Sequence, residues 1–273
     1  MPSRPLPIVD ERTALRADCS RCAGLCCVAP PFAASADFAF DKPAGTPCRH
    51  LRDDFRCGIH DRLRAEGFPG CTVFDCFGAG QRITQETFGG RGWHETPELA
   101  AAQFAALPVV RSLHEMLWYL AEALAHPEAA PLHAECRELR GRTEELAAGT
   151  PEQLRALDVG AHRGQGWELL QRVSERVRGR RSRDRRGADL VGKDLRGGDL
   201  GGASLRGALL IGADLRGARL DRADLLGADL RAADVRGTDL STCLFLTQPQ
   251  VSAARGDATT AIPAVLTRPP HWS

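Results

Sequence analysis

The sequence has no long hydrophobic run. In 273 residues no stretch approaches the ~18 apolar residues of a membrane span. The first twenty residues, MPSRPLPIVDERTALRADCS, hold no apolar run of signal-peptide length. A folded protein of the reducing cytoplasm, with no membrane association, is the expectation. An excess of either charge is missing too. Against 36 Lys and Arg stand 35 Asp and Glu, and the net charge of +1 singles out no partner. The short motifs of catalysis are also absent. There is no GxSxG elbow, no Walker A loop and no dinucleotide fingerprint, and His114-Glu115 does not open an HExxH pair. His94, His126, His133, His162 and His271 fall in turn-like or helix-end positions, where surface roles are expected.

What is present is a period of five. Leu190, Leu195, Leu200, Leu205, Leu210, Leu215, Leu220, Leu225, Leu230, Val235, Leu240 and Phe245 stand in one register without an insertion. Two residues before each lies a small side chain, such as Ala203, Ala208 and Ala213, and only Lys193 breaks that column. Asp usually sits between the two, and Gly usually follows two places after the apolar residue. Five fits neither the helical period of 3.6 nor the strand period of 2. It asks for a chain that turns a corner in every repeat, with Gly at the turn. Such units bury little alone and form a continuous core by stacking.

Ten cysteines are present, and eight lie between 19 and 76: Cys19, Cys22, Cys26, Cys27, Cys48, Cys57, Cys71 and Cys76. They read C-x2-C-x3-C-C, then C-x8-C, then C-x4-C. In a reducing compartment such a cluster points to metal or redox chemistry before disulfides. A C-x2-C turn brings two thiolates to one ion, and thiolates select zinc, copper(I) or iron–sulfur clusters. Arg21, Arg49 and Arg56 are placed to favour thiolate. Eight thiolates allow two four-cysteine sites, or one iron–sulfur cluster with spare thiols. Adjacent Cys26 and Cys27 should diverge, which favours separate sites or a cluster. His50 and His60 are candidates to replace a cysteine as ligand, a place beside the ligands being the commoner role. Cys136 and Cys243 fall on core positions, where packing accounts for both.

Around them the chain reads as a sequence of units. Residues 1–95 form the cysteine-rich module, with some helix near 11–17 and a short helix at 59–66. Residues 96–178 form a helical bundle: a first helix from Thr96-Pro97 interrupted at Pro108, then helices near 132–148, from Pro151, and at 167–178. Residues 179–187, overlapping the arginine-dense run 176–186, form an exposed hinge. The repeat fills 188–247. Residues 248–273 form a C-terminal cap or tail, with one or two helical turns near 248–256, while the helices cap the N-terminal end of the solenoid. The fold class is multidomain α plus β.

GADLRGARLDRADLLGADLR resembles the pentapeptide-repeat family, with its Ala-Asp/Asn-Leu-x-x consensus. The resemblance implies a right-handed quadrilateral β-helix with four pentapeptides per coil, so that twelve repeats make about three coils, roughly 15 Å tall. It also implies that pairing into a homodimer through a C-terminal face is open to the chain. CSRCAGLCC, PCRHL, FRCGIH and GFPGCTVFDC resemble the zinc- or iron-chelating family with a CxxCxxxCC start (the YkgJ type), across residues 19–77. His60 stands where that family has Tyr, and Gly67-Phe68-Pro69 replaces its Arg-Pro. This resemblance implies metal binding.

Three functions follow as expectations. The first is a metal-binding, non-enzymatic scaffold for a protein partner. The second is an iron–sulfur redox protein. The third and weakest is inhibition of a topoisomerase-type enzyme by DNA mimicry. Between residues 187 and 247 nine Asp face eight Lys plus Arg, too even a balance for a duplex mimic or for nucleic-acid binding.

Overall fold

The computed structural model describes residues 12–179 and 183–272. Through most of the repeat, parallel bridges join an Asp-position residue to the residue twenty further on: Asp189 to Leu209, Ser204 to Asp224, Asp214 to Asp234, Asp224 to Leu244. One coil is therefore four pentapeptides. Each face contributes a single bridging residue, so the column is held by short ladders, such as Leu205 N–H to Asp224 O at 2.8 Å, rather than by long strands.

Eleven of the twelve register residues are buried, and Leu195 is partly buried against the same core. The Asp of the repeat has a local task. Asp214, Asp229 and Asp234 accept the backbone N–H two residues on, from Arg216, Arg231 and Arg236. This fixes the corner as an Asx-turn. The corner residue itself is left-handed, φ +65° at Gly217 and +66° at Gly227, which is why glycine recurs there.

The solenoid is longer than its consensus. Bridges begin at Asp184 and end at Ala261, close to four coils rather than three. The later coils widen: Asp234 pairs with Arg255 and Asp239 with Ala261, because a helix, Gln248–Ala253, is spliced into the last turn. Beyond it the tail folds back, with Trp272 Nε1 donating to Ala254 O at 3.0 Å. Of the arginine-dense run, Arg176 and Arg178 close a helix and Arg183 to Arg186 already belong to the first coil. Residues 180–182 of the expected hinge lie outside the described residues.

The helices depart from expectation in several places. We label the helices α1 (Leu25–Val28), α2 (Pro69–Thr72), α3 (Ala79–Arg82), α4 (Pro97–Ala125), α5 (His133–Ala147), α6 (Pro151–Ala156), α7 (Val159–Arg178) and α8 (Gln248–Ala253). Helix α4 starts as read, with Thr96 Oγ1 accepting from Leu99 N–H and Pro97 at the first position. It runs through Pro108 without a break. Pro108 lies on the exposed side of the helix, while Leu107, Val110 and Leu113 bury the opposite side. Helix α7 begins eight residues earlier than its apolar stripe, capped by Asp158. Residues 59–66 form successive turns, not a helix, because folding Phe68 back to Leu63 puts both in one aromatic cluster. Only Thr13–Leu15 of 11–17 is helical, as one 3₁₀ turn; Glu11 lies outside the described residues.

Helices α5, α6 and α7 pack on α4. They lie along a side of the solenoid rather than over its end. Arg178 Nη1 donates to Gly202 O, Arg222 Nη1 to Val177 O, and Glu122 accepts from Phe245 N–H, contacts that climb successive coils. One apolar cluster runs from Met116 and Tyr119 through Val173 and Val177 to the inner leucines. Helices and solenoid thus share a core.

Candidate metal centre

The first C-x2-C turn is clamped from two directions. Ala23 N–H donates to Thr84 Oγ1 at 3.1 Å, and Ala23 O accepts from Trp93 Nε1 at 2.8 Å. Gly24, left-handed at φ +67°, then starts α1, which carries Cys26 and Cys27. Cys48 N–H donates to Cys27 O at 2.9 Å. A bridge between Leu51 and Cys57 closes the next loop, α2 carries Cys71, and Cys76 leads into α3. Gly80 on α3 leaves room for sulfur: a Cβ there would lie 2.6 Å from Cys22 Sγ and 3.9 Å from Cys76 Sγ.

The outcome is that all eight cysteines line one cavity of about 450 Å³, together with His50, His60, Arg52 and Arg56. No Asp or Glu lines it. Cys19 and Cys26 are exposed and the other six are partly buried. Cys26 and Cys27 do not diverge. Cys26 and Cys57 beside it push the Cys27 thiol well up, and Cys27 in turn holds Cys26 down and brings Cys57 to about 6. Burial pushes Cys19, Cys22, Cys71 and Cys76 up to about 11. The cationic wall is made by Arg52 and Arg56. Arg21 does not line the cavity, and Arg49 lies over the Phe40 ring at 3.9 Å.

Among the described residues no three His, Cys, Asp or Glu side chains stand in a metal-holding arrangement. The sulfurs wall the cavity and do not yet converge on a point. Their chemistry nevertheless fits a soft, thiolate-bound group and not a hard cation, since oxygen donors are missing from the wall. His50 Nε2 adds an unused donor: it is buried and without a hydrogen-bond partner.

Cys136 and Cys243 are buried away from this cavity, Cys243 Sγ donating to Leu220 O at 3.3 Å. His162 is interior, against the expected surface role, and His114 is buried as well. His162 Nε2 meets Thr143 Oγ1 at 2.9 Å, and His114 Nδ1 meets Phe77 O at 2.7 Å. Sequence reasoning also missed Lys42, which is buried beside the cysteine loops. Its one signal was its place in a proline- and phenylalanine-rich stretch with few other interior candidates.

Comparison with known proteins agrees with the column of coils. Residues 188–225 and 208–245 match the family of pentapeptide repeats. The chain is 54% identical over 264 residues to YybG of Bacillus subtilis (strain 168), described as uncharacterized, covering 94% of this chain and 95% of that one. Among solved structures, the pentapeptide repeat protein Rfr23 of the cyanobacterium Cyanothece 51142 is 33% identical, with a TM-score of 0.27, over 29% of this chain and 53% of its own. A thylakoid-lumen pentapeptide repeat protein of Arabidopsis thaliana is 28% identical, with a TM-score of 0.15, over 33% and 60%. The chain thus spans between half and two thirds of these solved proteins. It belongs to the pentapeptide-repeat proteins and, over nearly its full length, to the family of YybG.

Proposed function

We propose that this protein binds metal through Cys19, Cys22, Cys26, Cys27, Cys48, Cys57, Cys71 and Cys76, as zinc or as an iron–sulfur cluster, and serves as a non-enzymatic scaffold for a protein partner. The observation that carries the reading is the convergence of eight cysteines, from segments up to 57 residues apart, on one cavity free of carboxylates. Loading draws the sulfurs inward, and the bound group then staples a module whose own apolar cluster is small. The solenoid supplies the docking surface, and a homodimer remains within this reading. Its acidic side chains argue against duplex mimicry, since Asp194, Asp214, Asp229 and Asp234 are each paired with the Arg two places on. No membrane is involved in the proposal; among the described residues no helix is long and apolar enough to cross one.

An iron–sulfur redox centre is the second reading. One shared cavity with eight sulfurs is more than a single tetrahedral ion needs, and it favours a cluster or more than one ion. Metal analysis of protein purified without oxygen tests both. Zinc supports the staple, iron with labile sulfide supports the redox centre, and neither metal removes the proposal.

A further inference from the structure

Lys42 is a buried cation with an unusual set of neighbours. Its residue is 3% exposed. Nζ donates to three backbone carbonyls: Val28 O at 2.8 Å, Thr46 O at 2.9 Å and Pro43 O at 3.2 Å. The backbone is fixed as well, since Lys42 and Phe32 exchange N–H to O bonds of 2.8 and 3.0 Å. The Phe32 ring covers the ammonium at 5.4 Å. Val28 directly follows Cys27, and Thr46 stands two residues before Cys48, so the ammonium sits between the two chain segments that deliver these cysteines. No ion pair joins Lys42 to a carboxylate among the described residues. Burial holds its pKa down, and the thiols of Cys48 and Cys27 are the titratable groups near enough to oppose that.

A buried ammonium with no counter-charge is costly, and carbonyl dipoles satisfy its N–H groups without neutralising it. A centre bound only by thiolates carries the opposite charge. We infer that Lys42 is the buried counter-cation of the cysteine cavity, a positioning residue whose fixed positive charge stabilises the thiolate-bound, net negative group on its Cys27 and Cys48 side. This inference rests on the metal reading above. Charged partners outside the ligand set tune metal affinity by about 10–100-fold. That is the effect expected here.

The test uses the full chain stripped of metal, titrated with zinc against a chelator, as wild type, Lys42→Met, Lys42→Gln and Lys42→Arg. Circular dichroism follows folding at every zinc concentration. The neutral variants should release zinc about 10–100-fold more readily than wild type, and Lys42→Arg should hold it nearly as well. Neutral variants that bind zinc as tightly as wild type overturn the inference and leave the metal reading intact. Neutral variants that stay unfolded at every zinc concentration assign Lys42 a purely structural role, and also overturn it. A wild-type protein that takes up neither zinc nor iron overturns the metal reading, and the inference with it.

Discussion

Nη1 of Arg206 stands 3.2 Å from Oδ2 of Asp224, with the carboxylate fully buried and the guanidinium only 11% exposed. Arg206 Nη2 also reaches Trp167 O on α7, so this pair ties successive coils to the helices. Removing one member of a buried pair strands the other charge. Arg206→Met should cost about 3–5 kcal/mol in denaturant unfolding, and the double variant Arg206→Met/Asp224→Leu should recover a large part of that loss. A single-variant cost within ~0.5 kcal/mol of zero would show that the pair is solvated.

The corner column makes a second prediction in the opposite direction. Ala232 occupies a corner at φ +56°, where most other corners carry glycine, and its side chain is exposed. Ala232→Gly removes the left-handed penalty and should stabilise by about 1 kcal/mol. Gly217→Ala should destabilise by a similar amount. Thermal unfolding of the two variants checks the sign of each.

Much of the solenoid was legible because its period is set by local geometry: one Leu inward, one Asp closing the turn, one Gly at the corner. Its ends were not. Asp184 and Ala261 pair across coils from segments where the leucine column has lapsed, and α8 widens a coil without leaving a periodic mark. Pro108 misled for a related reason, since burial of Leu107, Val110 and Leu113 outweighs one missing hydrogen bond. At the site, the cysteines announced themselves by spacing. Their grouping around one cavity depends on the contacts of Ala23 with Thr84 and Trp93, which join residues some 60 to 70 apart and are invisible to spacing.

Acid should unfold the repeat within a definite window. Arg196 holds Asp194 down to about 2, and the Thr259 hydroxyl leads the contacts that hold Asp257 to about 2. Asp214 and Asp234 are lowered by their arginines too. Folded values lie below unfolded ones, so this stabilisation is complete above the ordinary Asp value near 4 and is lost as pH falls toward 2. Asp194 is exposed and the other three are partly buried, so added salt should blunt the effect most at Asp194. A stability that stays flat between pH 4 and 2 contradicts the assignment.

Cysteine replacements should separate ligands from packing. Cys27→Ser and Cys57→Ser should each lower metal content, since both thiols line the cavity. Cys136→Ser should leave it unchanged and lower stability instead, being buried among Leu132 and Leu139 of the helical core. Metal analysis and thermal melts of the three variants give opposite patterns if the assignment is correct.

The most direct test of the central claim is metal and sulfide analysis, with an absorbance spectrum, of the full chain purified without oxygen. The expected result is bound zinc with no visible band, or iron with labile sulfide and a broad band in the visible, with the eight cavity cysteines protected from thiol reagents until the metal is removed. A metal-free protein in which all ten cysteines titrate as free thiols in the unfolded state, and the cavity cysteines react freely in the folded one, would contradict it.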